Sequence, residues 1–260
     1  MARMLRQPRA NAVNAVVLIA IAAVCWAVTA DRMEGMDMGP GTELGGLGWF
    51  LGIWAVMMAA MMLPPVAPKA TVPFAAGFLL PWIAVGFVAY GAVEAVRALD
   101  PAFLGWDREG PYVAGAVVVG AAIYELTSPK RTCLRRCRDP RMPDRPGIGP
   151  ALRAGIVTGL ICIGCCWALM AALFALGVMS VGWMVLVAAL IAAEKLIPSA
   201  RTATVATAAL LAILGTAVAI APADVPGLTE PDETMHEEMD EGTMPKEMDE
   251  EAMPEEMMPG

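Results

Sequence analysis

The sequence predicts an all-α polytopic membrane bundle of about seven spans, with the N-terminus inside and a C-terminal tail outside. Three observations carry that expectation. The chain has 260 residues, of which 58% are apolar and only 17% charged, well beyond the 45–50% apolar and roughly 25% charged of a soluble domain. The apolar residues fall in runs of about the 17–25 residues that a bilayer requires. The charges between those runs alternate in sign from one connection to the next, as the positive-inside rule demands.

The seven expected spans run approximately 12–30, 47–63, 73–96, 111–127, 154–177, 180–198 and 202–221. Arg3, Arg6 and Arg9 precede the first span. The connection 128–153 is strongly basic, carrying Lys130, Arg131, Arg135, Arg136, Arg138, Arg141, Arg145 and Arg153 against only Asp139 and Asp144. Lys69 and Arg201 fall on the same side, whereas the opposite connections are acidic, holding Asp31, Glu34, Asp37 and Glu43 with Arg32 in one and Asp100, Asp107 and Glu109 with Arg108 in the other. These charges put the 128–153 connection in the cytoplasm. The first span also admits reading as a cleaved signal peptide, with small residues at Val28, Thr29 and Ala30. Its apolar run is longer than the usual 7–15 residues of such a peptide, which favours an uncleaved anchor.

The net charge of −8 is unevenly spread. Residues 222–260 hold 14 Asp/Glu and one lysine, so a basic membrane body precedes an acidic tail. The basic residues cluster in one short connection between apolar spans, which argues against nucleic-acid binding. The tail repeats Glu-Met-Asp-Glu units ending in Met-Pro at 244–245 and 253–254 and has almost no large aliphatics. Such a segment cannot bury a core and is expected to be disordered.

Methionine and cysteine carry the candidate chemistry. Twenty residues are Met. Met33, Met36 and Met38 follow the first span, and Met235, Met239, Met244 and Met248 lie in the tail beside the only histidine, His236. A thioether gains nothing from packing in a solvated acidic segment, but it is a soft ligand that selects Cu(I), and carboxylates with His236 can hold Cu(II). An acidic solubilising tail would explain the Glu and not the Met. In the second span, Met57/Met61 and Met58/Met62 are i,i+4 pairs, which places four sulfurs on adjoining strips of one helix. Met stripes also serve simply as core filler. In the fifth span, Cys162, Cys166 and Met170 are successive i,i+4 positions, and Cys165 lies three residues after Cys162. Neighbours on one helix do not make ordinary disulfides, whereas thiolate with thioether is a Cu(I) ligand set. Small buried Cys packing like Ala is the alternative.

Glu194 near the end of the sixth span is a charged residue in an apolar run, a functional candidate by default. Its neighbour Lys195 can snorkel to the interface, and Glu194 can pair with it or with a basic-loop arginine. The Met pairs, the Cys face and Glu194 all fall in the cytoplasmic half of their spans. Cys133 and Cys137, set among arginines that favour thiolate, would exchange metal at the cytoplasmic surface. Two cysteines are too few for a closed zinc site. Gly48-x-x-x-Gly52 and Gly155-x-x-x-Gly159 would permit close helix approach. No Walker A loop, Ser/His/Asp set or HExxH motif occurs, so neither an enzyme nor an ATP-driven pump is expected.

The segments Met57–Pro64, Thr132–Cys137, Gly159–Met170 and Glu194–Pro198 together resemble the signatures of domain-of-unknown-function family 2182. That family is described as predicted metal-binding integral membrane proteins, sometimes labelled copper chaperones. The resemblance covers roughly residues 47–215 and leaves out the tail. It implies a multi-pass protein of a prokaryotic plasma membrane that binds, transfers or transports copper. A metallochaperone or metal-receiving protein would be its partner besides the lipid bilayer, and homo-oligomerisation stays open. A membrane scaffold that docks a partner protein, with Cys and Met as packing residues, is the competing reading. A quinone- or thiol-linked redox enzyme is a third.

Overall fold

The computed structural model describes residues 2–33, 45–99, 110–140, 147–177 and 180–222. Among them, all regular structure is helical: α1 (Ala2–Met33), α2 (Leu47–Val66), α3 (Val72–Leu99), α4 (Gly110–Glu125), α5 (Ser128–Arg138), α6 (Ile148–Gly177), α7 (Val181–Leu196) and α8 (Ala200–Ile220). Five of these are long and apolar enough to cross a membrane: α1, α2, α3, α6 and α8. A sixth crossing results if α4 and α5, bent by 68° at a short break, count as one broken span. Each of the seven expected spans coincides with a helix. However, α4 and α7 have only 16 residues each, about 24 Å at 1.5 Å per residue, against a hydrocarbon core of about 30 Å.

The basic connection 128–153 differs from the expected loop. It contains the helix α5, and α6 begins six residues earlier than its apolar run, at Ile148. Both starts have a local reason. Pro129 occupies the first turn of α5 and Pro150 the first turn of α6, where the missing N–H has no intrahelical acceptor anyway. Arg135, Arg136 and Arg138 then lie in the last turn of α5, where cations suit the helix dipole.

Helix α2 packs on α1, α3 and α7, and its run from Met57 to Leu63 is buried without interruption. It is apolar all round, as a helix enclosed by others should be. Helix α1 packs against it and buries Leu18, Ala22 and Thr29, and the Trp26 indole donates to the Ala60 carbonyl at 3.1 Å. The Trp54 indole donates to the Trp82 carbonyl of α3 at 2.7 Å.

Glycines set the two closest helix pairs. Gly155 and Gly159 of α6 rest on the Phe74 and Phe78 carbonyls of α3, and Gly77 of α3 lies against the Leu152 carbonyl. Gly115 of α4 and Gly215 of α8 face each other, so that a Cβ on either would meet the other's carbonyl oxygen at 2.6 or 2.9 Å. Gly48 and Gly52 have open space instead, so the first of the two glycine motifs makes no helix contact among the described residues.

Candidate metal centre

Four sulfurs converge where α5 crosses α6. On α6, Cys162, Cys165 and Cys166 are all buried. The Cys166 Sγ lies 3.4 Å from that of Cys165 and 3.9 Å from that of Cys162, while the Cys165 thiol donates to the Cys162 carbonyl at 3.2 Å. A single helix can present thiols only along its own surface. The fourth sulfur comes from another element: the Sγ atoms of Cys137, Cys162 and Cys165 lie within 4.8 Å of one another. Three sulfurs bonded in one plane to a metal at about 2.3 Å, the zinc–thiolate length, are separated by about 4 Å. The cluster therefore fits one soft ion with only small side-chain adjustment.

Placing Cys137 there is the work of α5. Its buried residues are Lys130, Leu134 and Cys137, spaced i, i+4, i+7 along one face. At the N-terminal end of that face, the Lys130 ammonium lies 2.6 Å from Glu125 of α4 and 2.8 Å from Glu194 of α7. All three side chains are 0–1% exposed. Removing such charges from water is costly unless they are paired, so α5 is held against α4 and α7 at one register. At the other end Arg138 donates to the Glu194 carbonyl at 3.0 Å and also to that of Ile197. Cys137 is thereby carried into the helix interface. The expectation of a surface-facing Cys133/Cys137 pair is corrected here: Cys137 is buried among the α6 thiols, and Cys133 is half-buried against Gly164 of α6.

The charge beside the thiols is Lys195. Its ammonium approaches the Cys162 Sγ at 3.1 Å and the Met62 Sδ at 3.8 Å, and lies 6.0 Å from the Phe78 ring centre. It points into the bundle, so the expected snorkelling to the interface does not occur. A cation at that distance can offset the negative charge of a metal-bound thiolate. Glu194, expected as a candidate ligand or as the partner of Lys195 or of a basic-loop arginine, faces Lys130 instead.

The other expected residues divide into two groups. Met57, Met58, Met61, Met62 and Met170 are all buried in the core, and the Met62 sulfur is placed beside the thiol cluster through Lys195. Met33 is the last residue of α1. Met36, Met38, Met235, His236, Met239, Met244 and Met248 lie outside the described residues. Glu125 and Lys130 were missed as site-forming residues. Their signals were present: Glu125 is a lone acid closing an apolar helix, and Lys130 shares a helical face with Leu134 and Cys137.

The fold and this centre define an all-helical protein whose buried thiols suit a soft transition metal. The sequence match agrees: the chain belongs to the PpoB2 copper chaperone family, whose profile matches residues 51–218. That stretch includes all four sulfurs of the cluster, Lys195 and the ion-paired triad. No curated protein and no solved structure shows a significant match to the chain.

Proposed function

We propose that this chain is a multi-pass copper-handling protein of a prokaryotic plasma membrane. It takes Cu(I) onto Cys137, Cys162 and Cys165, with Cys166 as an adjacent fourth sulfur, and passes it to a receiving protein. The observation that carries this reading is the convergence of three thiols from two separate helices within 4.8 Å; packing alone does not require a cysteine from α5 at that point. Thiolates are the ligands that select Cu(I), and Lys195 offsets part of their negative charge.

The charge pattern supports seven crossings with the N-terminus inside, which puts α5 and the thiol cluster toward the cytoplasm and the acidic tail outside. Met33, Met36, Met38 and the tail residues Met235, His236, Met239, Met244 and Met248 then collect copper outside. The thiols hold it near the cytoplasmic surface, where Cys133 at the edge of the cluster is the exit ligand. No catalytic turnover is part of this reading.

Chelator competition with Cu(I) on the purified chain tests it. The expected result is one tightly held Cu(I) per chain, lost on Cys137→Ala. Unchanged Cu(I) affinity in Cys137→Ala and Cys162→Ala would overturn the reading and favour the scaffold alternative.

A further inference from the structure

A second polar feature lies on the other side of α5, and the metal reading makes no use of it. Between α5 and the start of α8 is an open cavity of about 420 Å³, lined by Arg131, Arg135 and Arg201. Among the described residues its one acid is Glu125, which is already paired with Lys130. Arg131 is held over the cavity by its Nε, which donates to the Thr127 carbonyl at 3.3 Å. Arg135 and Arg201 make no hydrogen bond or ion pair among the described residues. Thr204, also on the wall, spends its hydroxyl on the Ala200 carbonyl of its own helix at 2.8 Å. The cavity therefore presents three guanidinium groups with no free counter-charge among the described residues, a donor set matched to phosphate oxygens.

The rest of the lining is apolar, including Leu126 and Val205, both about half exposed. From Arg201, the outward positions Val205, Ala209 and Ile213 follow at four-residue intervals along α8, and all are exposed. The twelve-residue step from Arg201 to Ile213 covers about 18 Å of helix, comparable to an extended acyl chain. A soluble phosphate would use the arginines and leave this ridge bare. An amphiphile with an anionic head uses both.

We propose that this cleft is a headgroup site for an anionic phospholipid, with the phosphate on Arg131, Arg135 and Arg201 and an acyl chain along the α8 ridge. The site rests on the membrane reading and is independent of the metal. It gives the 68° bend between α4 and α5 a further consequence: after the bend, arginines of α5 line one cavity together with the first residues of α8. Basic pockets between spanning helices on the cytoplasmic side are suited to such headgroups.

The test uses the full chain reconstituted in bilayers of equimolar phosphatidylglycerol and phosphatidylcholine, released intact and weighed by native mass spectrometry with its retained lipids. Phosphatidylglycerol should be enriched on the parent chain. Arg135→Gln and Arg201→Gln should each reduce that enrichment by about fivefold, and Arg201→Lys should keep most of it. Both arginines are exposed, so the variants should melt like the parent and bind Cu(I) as it does. Three results would overturn the site: no enrichment on the parent chain, equal loss in Arg136→Gln (which lines a different cavity, beside Arg153, and so reports only diffuse attraction), or displacement of the lipid by inorganic phosphate alone. Flotation with the vesicles is scored separately. A chain that does not float breaks the membrane reading, whereas one that floats without lipid preference breaks this inference alone.

Discussion

Helices α2 and α6 carry sulfur stripes that look alike as sequence and differ as structure. Met57, Met58, Met61 and Met62 recur on α2 as Cys162, Cys166 and Met170 recur on α6, at helical spacing in both. On α2 the stripe loses its meaning as a face, because the run from Met57 to Leu63 is buried on every side and Ala59 and Ala60 are as enclosed as the methionines around them. On α6 the stripe meets a second element that brings another thiol, and a third, α7, that brings a cation. A ligand stripe becomes a site when neighbouring elements supply further ligands and charge balance; spacing alone supplies neither.

The sharpest way to break this comparison is to release the second element. Lys130→Met leaves Glu125 and Glu194 buried without their cation, and removing one partner of a buried ion pair costs about 3–5 kcal/mol. Thermal melting in detergent should fall accordingly, and Cu(I) affinity should fall with it, because α5 no longer holds Cys137 in place. A variant that melts like the parent would show that the triad does not pin α5.

Removing ligands acts on the site with little effect on the fold. Cys137→Ala and Cys162→Ala should each lower Cu(I) affinity by more than about 100-fold, the upper range for losing a mere supporting contact around a metal. Destabilisation should stay on the order of 1 kcal/mol, since little volume is lost. Equal effects of the α5 and α6 variants in chelator competition would establish that both helices contribute ligands.

Met62→Leu is expected to have an intermediate effect, about tenfold weaker binding, because its sulfur contacts the Lys195 ammonium that faces Cys162. The smallest effects belong to Met57→Leu and Met58→Leu. These swaps conserve shape and apolarity, so affinity should hold and the stability change should stay below about 1.5 kcal/mol. A large loss of Cu(I) from either variant would restore α2 as a ligand helix and erase the distinction between the stripes.

Much of the helical plan was legible in the residues. Apolar runs of membrane length place a helix at each expected span, since backbone groups excluded from water must pair within their own segment. The thiols of Cys162, Cys165 and Cys166 were legible as one face because helical spacing alone brings such neighbours together. Gly155 and Gly159 were legible for the same reason, whereas the Gly115/Gly215 contact was not, because its two halves are a hundred residues apart.

What the tertiary structure decided is pairing between elements. Sequence placed Cys137 beside Cys133 in a basic cytoplasmic loop; the fold makes a helix there and turns Cys137 inward because Lys130, seven residues earlier, finds two carboxylates on α4 and α7. Sequence placed Lys195 at the interface beside Glu194; the fold separates them, giving the carboxylate to Lys130 and the ammonium to the Cys162 sulfur. Local spacing determines which side chains share a helix face. Which charges are buried together depends on the partners available across the bundle, because a charge removed from water accepts only a position where an opposite charge or a soft ligand meets it.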